Sequence, residues 1–329
     1  MSTPETNLAS GVDAPAHVAP PASGVARLSM LPTLTILIRR EFWEHRALWM
    51  APLTVAAILF VCSFPVHIGP LHFGSEDSFW SSDSNLLAVF GWMQWGLAVP
   101  QLVVMTIVLN FYLLDCLYAE RKDRSILFWK SLPVSDAMTV SAKLLTGLVV
   151  VPLGVFALSA VTNLLVSGVF VARASFGSTP IPAAIWNTVV WLKVEALFLY
   201  GLVVTIFWYA PLAAYLVLVS SWARRNVFLW ATLPPVIAML VERWASGTHY
   251  VLSLIEYRTW GMWNTSNMEH SVNGAITSNG HDQIVSLSSV FDNLHMVGPF
   301  LNIDLWIGLA VAAAFAFAAA RFRRYRDDT

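Results

Sequence analysis

Residues 120–143 combine positive charge with large apolar side chains, and this combination predicts a protein-binding surface. The segment reads ERKDRSILFWKSLPVSDAMTVSAK and lies between two long apolar runs. Its many charges exclude it from a membrane span, and their positive excess predicts a cytoplasmic location. Several apolar side chains would form an exposed patch unless a partner covered them: Ile126, Leu127, Phe128, Trp129 and Leu132. We therefore expect this loop to dock a soluble protein.

A second candidate is Glu242, which stands beside Arg243 at the end of an apolar run. Ionisable groups at membrane depth are functional candidates by default, so Glu242 is a candidate intramembrane charge. The alternative is an interfacial pair that ends the span, with both side chains reaching the membrane surface. Neighbouring helical residues do not face each other, so each would need its own partner.

The polar segment after Glu242 contains histidines and carboxylates, which are common metal ligands. The histidine spacings match no ligand motif, so we expect solvated loop side chains and no metal site at His249, His270, His281 and His295. The motifs GxxxxGK[ST], HExxH and GxSxG do not occur in the sequence. We expect no cofactor, no nucleic-acid partner and no enzymatic activity in this chain by itself.

The second long apolar run contains three amide side chains, Gln94, Gln101 and Asn110. A step of seven residues places Gln94 and Gln101 on nearly one helical face, with Asn110 offset from it. Such a face either lines a translocation route or holds helices together by hydrogen bonds. The sequence leaves both interpretations open.

The composition predicts that these residues are carried by membrane-spanning helices. Hydrophobic residues make up 57% of the 329 residues and charged residues only 12%. A soluble domain is closer to one quarter charged, so the chain belongs among all-α polytopic membrane proteins. Residues 1–27 are rich in Ala, Pro and Ser and lack an apolar run, so we expect them to be disordered and not to act as a signal peptide.

Residues 28–329 are predicted to form one domain with six transmembrane helices. An amphipathic helix over residues 28–49 is expected to lie on the cytoplasmic membrane surface. The predicted spans cover about residues 50–66, 89–114, a stretch within 140–171, 196–219, 226–241 and 302–320. Residues 183–195, which include Lys193 and Glu195, are expected to extend outside the membrane. Residues 244–300 are predicted to form a polar outer segment.

The basic residues support this arrangement, because most of them fall on alternate connections. The groups are Arg27, Arg39, Arg40 and Arg46; then Arg121, Lys122, Arg124, Lys130 and Lys143; then Arg224 and Arg225; then Arg321, Arg323, Arg324 and Arg326. Positive residues concentrate on the cytoplasmic side of membrane proteins. An even number of spans with both termini in the cytoplasm is therefore expected.

The segment DCLYAERKDRSILFWKSLPVSDAMTVSAK, residues 115–143, resembles ABC-2 type transporter permeases, the membrane subunits of ATP-binding-cassette exporters. The likeness rests on the ERKDRS run, on ILFWKSLPVS and on the apolar run that follows. ATLPPVIAMLVERW, starting at Ala231, is also similar to members of this family. The expected order of amphipathic helix, six spans and large outer segment agrees with the family plan.

This resemblance implies a role for each part of the chain. Residues 120–130 would form a coupling helix that enters a groove on an ATPase subunit, with contacts from Glu120, Arg121, Lys122, Arg124, Leu127, Phe128, Trp129 and Lys130. Two permeases, identical or different, and two ATPases would make one exporter in the cytoplasmic membrane. Spans two and five would border the route for a substrate that the sequence does not identify.

Two other functions remain open from the residues alone. One is an intramembrane enzyme that uses Glu242 with the outer histidines. The other is a membrane assembly or sensor protein whose loop recruits a partner without transport.

Overall fold

The computed structural model describes residues 30–64, 83–123, 125, 134–176, 188–265 and 297–325. Every regular element in this part of the chain is a helix. In chain order the helices are α1 (Met30–Glu44), α2 (Ala47–Cys62), α3 (Asp83–Asp115), α4 (Tyr118–Lys122), α5 (Asp136–Leu145), a π-helical turn (Thr146–Val150), α6 (Val151–Ser175), α7 (Thr188–Trp222), α8 (Val227–Ser246), α9 (Tyr250–Thr265), α10 (Gly298–Leu301) and α11 (Ile303–Tyr325).

Within the described residues, five helical stretches are long and apolar enough to cross a membrane: Met93–Lys122, Asp136–Arg173, Trp191–Trp222, Val227–Ser246 and Ile303–Tyr325. The pair α1 and α2 makes a sixth if the two helices count as one broken span. An apolar helix of about 20 residues covers the hydrocarbon core of a bilayer. The predicted all-α, multi-pass membrane architecture is thus confirmed at this level.

The first helical region differs from the single helix predicted over residues 28–49. The chain bends by 59° between α1 and α2, so Trp49 belongs to the spanning helix α2. The turn is built by hydrogen bonds from the His45 amide to the Glu41 carbonyl and from the Leu48 amide to the His45 carbonyl. On α1, Leu37 and Glu41 are buried one turn apart while Leu31 and Trp43 are exposed.

The third spanning stretch is longer than predicted because α5, the π-helical turn and α6 follow one another without a break. Ser135 begins α5 as a helix cap, since its hydroxyl accepts a hydrogen bond from the Met138 amide at 3.2 Å. Helix α3 passes close to Gly147 in the π-helical turn. A Cβ there would lie 3.0 Å from Cδ2 of Leu113, so glycine permits this approach.

Helix α7 lies at the centre of the bundle and packs against both α3 and α11. The main apolar core joins these helices through Leu113, Val217 and Ala319, all with no exposed surface. Helix α7 begins at Thr188, so Glu195 lies inside a spanning helix and is buried. The apolar stretch Trp191–Trp222 is longer than the roughly 20 residues that cross a hydrocarbon core, so the extension of residues 183–195 outside the membrane stays a prediction.

Part of the predicted polar outer segment folds as helix α9 against the bundle. Tyr257 packs edge-on against Trp208 of α7, with ring centroids 5.0 Å apart, and donates to the Asp304 carboxylate of α11 at 3.0 Å. Burial and the neighbouring carboxylate raise the pKa of Tyr257, which keeps its hydroxyl available as a donor. Arg258 stacks over the Trp208 ring at 5.5 Å. The sequence of α9 mixes polar and apolar residues, so its packing against α7 and α11 was not predicted.

Candidate functional site

Four buried charged side chains meet at the start of the predicted docking loop. They are Glu41, Glu120, Lys143 and Arg323, and we refer to them as the ion-pair cluster. Their exposed fractions are 2%, 3%, 1% and 5%, respectively. They come from α1, α4, α5 and α11, helices that are widely separated along the chain. The cluster therefore joins four elements at one end of the bundle.

Lys143 is the centre of the cluster. Its Nζ lies 2.8 Å from Oε1 of Glu41 and 3.1 Å from Oε1 of Glu120. The Tyr112 hydroxyl donates to the other oxygen of Glu41 at 3.1 Å. Burying a charge is costly unless it is paired and hydrogen-bonded, and these contacts meet that requirement for both partners.

Helices α4 and α5 flank residues 123–135, the part of the predicted segment that we call the docking loop from here on. Arg323 bridges these two helices. Its Nη1 donates to Oε2 of Glu120, which precedes the loop. Its Nε donates to Oδ1 of Asp136, which follows the loop, at 2.9 Å. The fork of the guanidinium group suits two such acceptors, whereas a lysine ammonium would hold them as a point charge. A single side chain of α11 thus closes the base of the segment between Glu120 and Asp136.

Arg40 of α1 completes the charge balance at the edge of the cluster. Its Nη2 lies 3.0 Å from Oε1 of Glu120, and its Nε lies 3.1 Å from Oε2 of Glu44. Within the described residues, Glu41, Glu120 and Asp136 face Arg40, Lys143 and Arg323, and the exposed Glu44 adds a fourth carboxylate through Arg40. The buried members, Glu41 and Glu120 against Lys143 and Arg323, balance in formal charge, which suits a dry environment.

The predicted partner-binding residues separate into three groups. Glu120 is buried in the ion-pair cluster, so its carboxylate is engaged within the chain and is not available to a partner. Arg121 donates to the carbonyl oxygens of Ser220 and Ala223 at 2.6 and 2.9 Å, while Lys122 is exposed. Five predicted contact residues lie outside the described part of the chain: Arg124, Leu127, Phe128, Trp129 and Lys130.

The end of α7 holds the beginning of the docking loop. The Ser220 hydroxyl accepts hydrogen bonds from the amides of Leu117 and Tyr118, both at 3.1 Å. Amides in the first turn of a helix have no partner within the helix, and a serine oxygen can supply one. Short helix α4 is therefore tied to α7 by Ser220 and Arg121, and to α11 and α5 by Glu120.

Two of the three amides predicted on the second span contact other helices, while the third, Gln101, donates to the Leu97 carbonyl of its own helix. Gln94 and Gln101 are buried, and the Asn163 amide of α6 donates to Oε1 of Gln94. Asn110 accepts a hydrogen bond from the Tyr209 hydroxyl of α7 at 2.7 Å. Of the two interpretations left open, the contacts of Gln94 and Asn110 favour helix association.

Glu242 serves as a cap for the following helix. Its carboxylate accepts hydrogen bonds from the Thr248 hydroxyl and the Val251 amide, both at 2.8 Å, and from the Tyr250 amide. His249 lies 3.3 Å from the Arg243 guanidinium instead. The contacts of Glu242 are those of a structural acceptor at the start of α9.

An open groove of about 670 Å³ lies beside the cluster, where the bend between α1 and α2 faces α3 and α8. Its walls include Glu44, His45, Asp115, Tyr118, Asn226 and Phe228. The predicted amides of α3 do not contribute to its lining.

Two features of the bundle were not predicted from the sequence. Pairing of Glu41 with Lys143 carried no local signal, because the residues are 102 positions apart. The burial of Glu195 was also missed, although a carboxylate inside an apolar run was a usable signal. The histidines His270, His281 and His295 lie outside the described residues, and in the part that is described no group of three or more His, Cys, Asp or Glu residues could hold a metal ion.

Comparison with known proteins does not assign a family or a function to this site. No protein-family model matches the chain, and neither a curated protein nor a solved structure matches it.

Proposed function

We propose that this chain is the permease subunit of an ATP-binding-cassette exporter of the ABC-2 type. It would lie in the cytoplasmic membrane, and the loop from Glu120 to Asp136 would bind a separate ATPase subunit. The observation that carries this proposal is the Arg323 bridge at the base of the loop. A loop that must transmit force needs both ends fixed to the helices it moves.

The ion-pair cluster provides the connections that such a mechanism needs. A displacement of the loop would act on α5 through Lys143, on α11 through Arg323 and on α1 through Glu41. Buried pairs resist stretching, because separating them leaves an uncompensated charge in a region of low dielectric. Movement of the loop would then tilt these helices together as rigid bodies and change access to the transport route.

The rest of the chain suits a subunit that works with other proteins. The sequence has no P-loop, so the fuel would come from an ATPase partner. Helix α8 has many exposed apolar side chains, such as Leu240 and Trp244, which no other described residue covers. In the assembled exporter, this surface would face lipid or the second permease, and α1 would lie on the cytoplasmic membrane surface.

The test is to look for a P-loop ATPase in the neighbouring reading frames, co-purify the full chain with it and measure ATP hydrolysis in the complex. Trp129→Ala combined with Arg124→Glu removes an aromatic anchor and reverses a charge in the docking loop. We expect about tenfold or more weaker association, since aromatic and arginine residues dominate interface energies. Arg225→Glu is the matched control, because it reverses an exposed charge on another connection.

Unchanged association and hydrolysis in the double variant, with normal membrane insertion, would show that the loop is not the docking site. Binding of the ATPase without transport or stimulation by any compound of a broad panel would instead favour the assembly or sensor function.

A further inference from the structure

Glu195 is the buried carboxylate that the ion-pair cluster does not use. It lies one turn inside the apolar stretch of α7 and has an exposed fraction of 6%. Within the described residues, neither of its carboxylate oxygens accepts a hydrogen bond. Glu41 and Glu120, which are buried to a similar degree, each have a cation within 3.1 Å. All three residues are buried carboxylates, but only Glu41 and Glu120 have a cation beside them to balance a negative charge.

The side chains around Glu195 are polar but neutral. The Gln94 amide of α3 interacts with the carboxylate, but within the described part of the chain its nitrogen is not placed for a hydrogen bond of normal length and angle. Oε1 of Gln94 accepts from Asn163, and Asn163 also accepts from the Trp191 indole at 3.1 Å. The Ser159 hydroxyl, one turn from Asn163 on α6, is buried without a partner among the described residues. This polar pocket contains amides and a hydroxyl around one acid.

Charged groups on the surrounding helices lie elsewhere. Asp115 is at the opposite end of α3, and Arg173 of α6 donates to the Phe64 carbonyl. Lys193 of α7 is exposed. Helices α9 and α11 also pack on α7, and their ionisable groups at this end are Glu256, which is exposed, and Tyr257, Arg258 and Asp304, which contact one another near Trp208. The structure thus gives Glu195 no counter-ion among the described residues.

An ionised carboxylate without a cation is expensive inside a membrane-spanning bundle. The same carboxyl group with a proton is uncharged and carries one O–H donor for a neighbouring amide oxygen or hydroxyl. We propose that Glu195 is a proton-binding site: its carboxyl group is neutral in this conformation, and it gives the proton to water when α3 and α7 separate and the pocket becomes wet. Proton binding at Glu195 would then be linked to the conformation of the bundle.

The test uses the full chain in lipid nanodiscs and dicyclohexylcarbodiimide, an apolar reagent that reacts with protonated carboxyl groups. The acid adds across a C=N bond of the reagent, and acyl migration leaves a stable N-acylurea with no group lost. Peptide mass spectrometry at neutral pH is expected to find Glu195 modified at least about tenfold more than Glu41 and Glu120, since a cation lies within 3.1 Å of each of those two carboxylates. Modification of Glu195 is expected to fall as the pH rises.

Comparison of three buried carboxylates in one wild-type sample does not depend on any variant folding. Glu195→Gln, where it inserts normally, must remove the adduct from that peptide. Absence of the Glu195 adduct, or equal modification of all three residues, would overturn the proposal. Protection by sodium chloride, but not by choline chloride, would also overturn it in favour of a metal cation. A label at Glu195 would mean the same whether or not an ATPase binds the docking loop.

Discussion

Nζ of Lys143 lies 2.8 Å from Oε1 of Glu41, and both side chains are almost completely buried. The pair joins α1 to α5 and forms the inner part of the ion-pair cluster. Such a pair fixes the position of α1 relative to the bundle, because moving the helix would leave both charges buried without a partner.

Removal of one member of this pair is expected to destabilise the protein strongly. Lys143→Met leaves Glu41 with a buried charge and takes the central cation from Glu120, which should cost about 3–5 kcal/mol. Thermal unfolding of the purified protein in nanodiscs measures this loss. Lys193→Met, which removes an exposed lysine, is the control and should have little effect. The double variant Lys143→Met with Glu41→Leu should recover part of the loss, and a double variant as unstable as Lys143→Met would contradict the pairing.

Arg323→Gln should loosen the base of the docking loop. The change removes the bridge from Glu120 to Asp136, so the intervening segment should be cleaved faster in limited proteolysis. Arg323→Lys should be intermediate, since an ammonium group lacks the fork of a guanidinium. Arg324→Gln changes the neighbouring, exposed arginine and should leave the cleavage rate unchanged. Equal rates in Arg323→Gln and wild type would mean that the bridge does not restrain the loop.

Gly308→Ala should weaken the contact between α9 and α11. A Cβ at this position would overlap the Arg258 guanidinium, with Cζ only 2.8 Å away. The flexible guanidinium can move aside, so the cost is the loss of its hydrogen bond to the Asp304 carbonyl and of its stacking on Trp208, about 1 kcal/mol. Gly154→Ala and Gly168→Ala are matched controls, because open space surrounds both positions and alanine favours a helix. The clash is not real if all three variants show the same thermal midpoint.

Glu242→Ala should release the start of α9. Loss of the carboxylate leaves the Val251 amide without its acceptor, so hydrogen exchange at the first turn of α9 should become faster. Exchange in the α7 core should not change. An unaltered exchange rate at Val251, together with loss of a hydrolytic activity, would restore Glu242 as a candidate catalytic group.

Much of the fold could be predicted because its signals are local. The apolar runs around α3, α6, α7 and α11 predicted spanning helices at these places, because the length of an apolar run can be read directly from the sequence. The bend between α1 and α2 was not predicted. Glu41, whose carbonyl accepts the His45 amide at this bend, has its side-chain partner Lys143 102 residues further along the chain, and so distant a partner leaves no local signal.

The sequence by itself determined that this is an all-helical membrane protein with a charged, aromatic loop between two spans, because composition and periodicity suffice for those conclusions. Only the tertiary structure decided which charges meet. Glu120 was predicted to contact a partner, but it lies inside the cluster because α5 and α11 bring Lys143 and Arg323 to it. Glu195 has no such cation among the described residues. Whether a carboxylate is paired or isolated depends on helix packing, and the spacing of residues along the chain does not encode that packing.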